Sequence, residues 1–132
     1  VLIGPVIPGL TDHEMPRILQ AAADAGARHA SYVVLRLPHG LKDLFSEWLE
    51  RHFPDRRDKV LNRVRDMRGG ELYDSRYFAR GRGEGIFADQ VRTLFAAGCR
   101  KAGLNHDKKP LSTASFRVPT PPGGQLGFFE MG

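Results

Sequence analysis

Two apolar runs with a helical pattern between them most constrain how this chain folds. The first run covers residues 1–10 and is cut by Pro and Gly, and the second covers residues 32–37. Thr11 or Asp12 is expected to cap the intervening helix, and Gly26 to end it. The apolar positions of that helix are Met15, Ile18, Leu19, Ala22, Ala23 and Ala25. The order strand, helix, strand predicts a βαβ unit with parallel strands.

The first run lacks alternating polar residues, so its strand is expected to be buried on both faces. Two strands alone leave two edges and half-covered faces, which predicts that the unit is the C-terminal part of a larger sheet. Helical spacing then predicts an apolar helix face at 41–52, a second helix from Pro54 or Asp55 to 68, and a last helix over 85–102. Residues 71–85 are expected to form an ordered loop.

We expect three regions along the chain. They are the strand–helix–strand unit at 1–40, a mainly α-helical extension at 41–104, and a Pro- and Gly-rich irregular tail at 105–132. Hydrophobic residues make up 41% of the chain and the net charge is +5, a balance that argues against wholesale disorder. The sequence has no apolar run long enough for a membrane span and no signal-peptide pattern, so a cytoplasmic protein is predicted.

The cysteine and histidine content excludes several kinds of site. The chain has one cysteine, Cys99, which rules out an internal disulfide and any cluster site that needs three thiolates from this chain. Its five histidines show no ligand spacing, so no mononuclear metal site is predicted.

The basic residues lie mostly in the second part of the chain. Residues 1–50 carry four basic and six acidic side chains, whereas residues 51–132 carry sixteen and nine. Arginine binds phosphate bidentately and aromatic rings stack on bases, so this part predicts a nucleic-acid surface. Its candidate residues are Arg56, Arg57, Arg63, Arg76, Tyr77, Arg80 and Arg82. The alternative is a solvated helix face whose arginines pair locally with Asp58, Asp66 and Asp74.

Several short motifs together resemble one enzyme family. They are PVIPGLTD at 5–12, LRLPHG at 35–40, RGG at 68–70, LYDSR at 72–76 and RGEG at 82–85. This string of motifs, spread over residues 3–104, resembles the C-terminal third of radical S-adenosylmethionine (radical SAM) proteins related to spore photoproduct lyase, the DNA repair photolyase-like group.

The resemblance implies an α/β fold in which residues 1–40 are the C-terminal βαβ end of a partial, TIM-like (β/α) barrel. It implies a helical cap at 41–104. It also implies a lyase-type activity, in which a [4Fe-4S] iron–sulfur cluster on three cysteines reductively cleaves S-adenosylmethionine. Backbone polar groups and apolar walls of two segments would border the adenine of that cofactor. Those residues are Val6, Ile7, Pro8, Gly9, Leu35, Arg36, Leu37 and Pro38.

The chain departs from the family because it lacks the CxxxCxxC motif that holds the cluster. It is therefore expected to be a fragment of the enzyme or a degenerate remnant, not competent alone. S-adenosylmethionine and the cluster are expected in the full-length protein, with neither bound by this chain by itself. The upstream barrel is the expected partner, nucleic acid a further one, and strand pairing at Val1–Ile7 would let the isolated fragment self-associate. No catalytic residue is assigned.

Two non-enzymatic alternatives stay open. The chain is either a small nucleic-acid-binding module that uses the Arg-rich helix and aromatic loop, or a partner-docking domain whose apolar end at Leu126–Phe129 inserts into another protein. Salt-dependent nucleic-acid binding by the chain itself would favour the first alternative.

Overall fold

The computed structural model describes residues 1–73, 75, 79–107, 110 and 112–117. Strands β1 (Leu2–Val6) and β2 (Ser31–Val34) pair in parallel, and helix α1 (Met15–Asp24) crosses between them. Ile3 lies opposite Tyr32, and Val6 opposite Val34. The predicted βαβ unit and the mixed α/β class are therefore confirmed. The described residues hold a two-stranded sheet, so the barrel stays a prediction.

Four further helices follow the sheet. They are α2 (Leu41–His52), α3 (Arg57–Asp66), α4 (Ala79–Arg82) and α5 (Ile86–Ala102), and a 3-10 turn at Pro54–Arg56 leads into α3. Three of them match the predicted helices, whereas α4 is a single turn within the predicted loop 71–85. None of the helices in these described segments is both long and apolar enough to cross a lipid bilayer.

The prediction that β1 is buried on both faces is wrong. Val6 is buried, but Leu2 is 64% exposed, and Gly4 and Pro5 are also exposed. The physical reason is that α1 and α5 pack on one face of the sheet, where Tyr32 lies buried. The opposite face carries Leu2, which is exposed, and Ser31 and Val33, which are half-buried.

The main core lies between the sheet and helices α1 and α5. Tyr32 of β2 meets Phe95 of α5 with ring centroids 4.7 Å apart. The two helices approach closely at Gly98, because a Cβ added there would stand 2.6 Å from Cδ1 of Leu19. Leu19 is fully buried at this contact.

A second apolar cluster joins α2 and α3 to the loops that follow both strands. Its buried members are Leu10, Leu35, Leu37, Leu49, Val60, Leu61 and Val64. Because Leu10 and Leu35 follow β1 and β2, this cluster fixes α3 beside the carboxyl edge of the sheet. That packing brings α3 side chains to the loop after β1.

The end of α5 is attached to the start of β2. Asn105 Oδ1 accepts a hydrogen bond from the Ala30 backbone N–H at 3.0 Å, and Asn105 Nδ2 donates to the Ala30 carbonyl at 3.1 Å. The backbone N–H of Asn105 also donates to the Arg28 carbonyl. The first residue of the predicted tail is therefore part of the packed fold.

Candidate functional site

The two segments predicted to border a cofactor leave the same edge of the sheet. The backbone N–H of Leu35 donates to the carbonyl of Val6 at 2.9 Å, which joins the ends of the two strands. The loops 7–12 and 35–40 start from there. Ligands of parallel α/β sheets bind at this carboxyl edge, where the loops after neighbouring strands meet.

The loop 7–12 is closed by its own side chains. Thr11 Oγ1 accepts from the Ile7 N–H at 2.9 Å, and Asp12 Oδ2 accepts from the Gly9 N–H at 3.0 Å. The Ile7 carbonyl accepts from the N–H groups of Leu10 and Thr11. The N–H groups of Ile7 and Gly9 thus already donate hydrogen bonds within the loop. The loop therefore offers a ligand a fixed shape, but these two donors are not available to it.

This arrangement corrects the predicted helix cap. α1 begins at Met15, its N-cap residue is Glu14, and no side-chain cap hydrogen bond forms there. Thr11 and Asp12 bond back into the preceding loop instead. Short polar side chains often satisfy nearby backbone donors in this way, in competition with capping.

The second loop, 35–40, is fixed by residues of the helical part of the chain. Arg68 is 3% exposed, and its Nη2 donates to the Leu35 carbonyl at 2.9 Å. The Pro38 carbonyl accepts from the Leu41 N–H, which leads directly into α2. The second loop is therefore fixed by groups that come later in the chain, whereas the first is closed by its own residues.

The eight residues predicted to border the adenine differ in exposure. Four have buried side chains, namely Val6, Pro8, Leu35 and Leu37. Ile7, Gly9 and Pro38 are half-buried, and Arg36 is exposed. The structure brings both segments to one edge, but half of the predicted wall lies inside the protein. A ligand at this edge would meet the half-buried residues and Arg36.

Two residues that the cofactor prediction did not include also reach this edge. Arg63 of α3 places its Nη1 3.6 Å from Oδ2 of Asp12, and the two side chains are 25% and 24% exposed. The Arg63 guanidinium also lies 4.9 Å from the centre of the Phe87 ring. A cavity of about 260 Å³ beside this pair is lined by Pro8, Asp12, Arg63, Phe87, Gln90, Val91 and Leu94.

Three of the arginines predicted to contact nucleic acid instead contact groups of their own chain, namely Arg57, Arg63 and Arg82. Arg63 faces Asp12, and Arg57 donates to Ser46 Oγ and to Asp58 Oδ1, each at 2.9 Å.

Arg82 lies 4.5 Å from the centre of the Tyr32 ring. Arg56 is exposed. Arg76 and Tyr77 lie outside the described residues, and of Arg80 the structure describes only the backbone, in α4. The nucleic-acid surface stays a prediction.

The apolar face of α2 is only partly buried. Leu49 is fully buried, whereas Leu44 is 61% exposed and Trp48 is 38% exposed. The rings of Phe45 and Trp48 stack with centroids 5.8 Å apart. Leu44, Phe45 and Trp48, together with the second strand-end loop, line an apolar cavity of about 370 Å³. The sequence pattern predicts this apolar face, but it does not predict that part of the face is exposed.

The residues present do not fit an iron–sulfur cluster. Cys99 is 5% exposed and belongs to the main core between α1 and α5. In the described segments no three His, Cys, Asp or Glu side chains converge as a metal site. The chain contains no second cysteine, so three thiolates cannot come from it alone.

Comparison with known proteins adds no relative, since no family model, curated protein or solved structure matches this chain.

The close contact at Gly9 predicts an unequal effect of two glycine substitutions. Gly9 has φ +81, and a Cβ there would lie 3.0 Å from Arg63 Nη1, whereas Gly26 has φ +90 and open space. Gly26→Ala is expected to lower the free energy of unfolding by about 1–2 kcal/mol through left-handed strain. Gly9→Ala should cost about 1 kcal/mol more, because Arg63 must also move. Urea unfolding of both variants measures this, and equal losses would contradict the contact.

Proposed function

We propose that this chain is the C-terminal end of a radical SAM (β/α) barrel within a longer polypeptide. In this proposal its two strand-end loops form one wall of the S-adenosylmethionine site. The observation that carries the proposal is the asymmetry of the sheet, whose two faces are covered to different extents. Helices cover one face, the other face is open at Leu2, and both motif-bearing loops leave the carboxyl edge together.

A segment of a (β/α) barrel has this same asymmetry between its two faces. In a (β/α) barrel the helices form the outer layer, and the opposite face of every strand points into the barrel interior. Leu2 at 64% exposure is costly on an isolated two-stranded sheet, since apolar surface removed from water contributes about 25 cal/mol per Å². Further strands paired with β1 and β2 would remove the open edges, and closure of the sheet into a barrel would cover this face.

In this proposal the chain binds and orients the cofactor and does not activate it. S-adenosylmethionine supplies the sulfonium carbon–sulfur bond that the family cleaves, and the cluster ligands come from outside these 132 residues. The half-buried residues Ile7, Gly9 and Pro38 provide a shaped apolar wall. Arg36, the exposed side chain of the second loop, provides a positive charge for the carboxylate of a ligand at this edge.

The size of the native polypeptide tests this proposal. An antibody against residues 41–104 isolates the protein from its own cells, and intact-mass spectrometry gives its length. We expect a mass well above 14.7 kDa, with a CxxxCxxC motif encoded upstream of Val1. A native mass near 14.7 kDa would contradict the proposal and leave the non-enzymatic alternatives.

A further inference from the structure

We infer that Arg63 is a positioning residue for the cofactor loop, an inference that rests on the proposed function. Arg63 belongs to α3, in the helical part of the chain, yet its guanidinium lies against the loop 7–12 after β1. In that place it holds the loop in the shape that meets S-adenosylmethionine. This role differs from the nucleic-acid contact that the sequence pattern predicts for Arg63.

The first support is that one carboxylate oxygen connects Arg63 to the loop backbone. Asp12 Oδ2 accepts the Gly9 N–H at 3.0 Å and lies 3.6 Å from Arg63 Nη1. The arginine charge therefore holds the acceptor that fixes Gly9. Asp12 Oδ1 accepts from the His13 N–H at 3.1 Å, so both carboxylate oxygens are engaged.

The second support is direct packing on the loop. A Cβ built on Gly9 would lie 3.0 Å from Arg63 Nη1 and 3.2 Å from its Cδ. The stem and the head of the arginine therefore both cover this glycine. Only a glycine with φ +81 lets the backbone approach the side chain so closely.

The third support is that Arg63 itself is held in place. Its guanidinium lies 4.9 Å from the centre of the Phe87 ring of α5, within range of a cation–π contact. Its neighbours Val60 and Val64 on α3 are buried in the second cluster. An exposed ion pair on mobile side chains contributes little, but this pair is three-quarters buried and anchored at both ends.

The experiment compares three variants of the native polypeptide, prepared without oxygen. They are Arg63→Met, which keeps the stem and removes the charge, Arg63→Lys, which keeps the charge, and Lys59→Met, which removes an exposed charge of the same helix. The first readout is the dissociation constant for S-adenosylmethionine, measured by equilibrium dialysis. The second is amide hydrogen exchange of residues 7–12 in the ligand-free protein.

We expect Arg63→Met to weaken S-adenosylmethionine binding by about tenfold and to speed exchange of the Gly9 amide by a similar factor. Arg63→Lys should lie between Arg63→Met and the unmodified protein, and Lys59→Met should match the unmodified protein in both readouts. A melting temperature for each variant separates this local effect from a general loss of stability.

Two results would overturn the inference while the proposed function stands. One is unchanged exchange of residues 7–12 in Arg63→Met, and the other is faster exchange with unchanged affinity for S-adenosylmethionine. If the unmodified polypeptide does not bind S-adenosylmethionine, the proposed function fails, and the inference fails with it. The exchange data then still show whether Arg63 fixes the loop.

Discussion

Replacing Leu19 by alanine is expected to lower the free energy of unfolding by about 2–5 kcal/mol. Leu19 is fully buried where α1 crosses α5, and Gly98 of α5 lies directly against its Cδ1. Removing three carbons forfeits their transfer from water and leaves a cavity. Since a glycine has no side chain to move into that space, the cavity can close only if the helices shift.

A matched control is available one residue earlier on the same helix. Ile18 is 38% exposed, so Ile18→Ala removes a similar aliphatic group from a site that water already reaches. Urea unfolding followed by circular dichroism gives the two midpoints, and the slope m shows whether the unfolded states stay comparable. A loss for Leu19→Ala no larger than that for Ile18→Ala would show that α1 and α5 do not pack as described.

The elements of the fold were largely predictable because each has a local pattern. Apolar spacing marks α2 and α5, Gly26 and Gly103 follow the ends of α1 and α5, and two apolar runs mark the strands. Residue spacing sets the period of an element, and the period decides between helix and strand. It does not decide what covers the element.

The sequence prediction failed on which apolar faces of the strands and helices are buried. The apolar run of β1 has no polar alternation, yet Leu2 is 64% exposed. Likewise, the helical spacing of α2 marks one apolar face, of which Leu49 is buried and Leu44 is not. A pattern records that a face is apolar, whereas burial depends on elements far away in the sequence.

The site was predictable to the same extent. Parallel strands place their carboxyl ends together, so the meeting of the loops 7–12 and 35–40 follows from the βαβ order. The contact between Asp12 and Arg63 does not, because residues so distant along the chain leave no local signal. The spacing of Gly9 and Asp12 indicates a turn that the aspartate side chain closes, but it gives no sign of Arg63.

Cleavage of S-adenosylmethionine by the native polypeptide tests the central claim most directly. The polypeptide is reconstituted with iron and sulfide without oxygen, then given S-adenosylmethionine and a strong reductant, and 5′-deoxyadenosine and methionine are measured by mass spectrometry. Samples without reductant, and the 132-residue chain treated identically, serve as controls.

We predict both products from the reduced native polypeptide and neither from the isolated chain, because Cys99 is its one cysteine and lies in the core. A reconstituted native polypeptide that yields neither product would contradict the proposal that this chain is part of a radical SAM barrel.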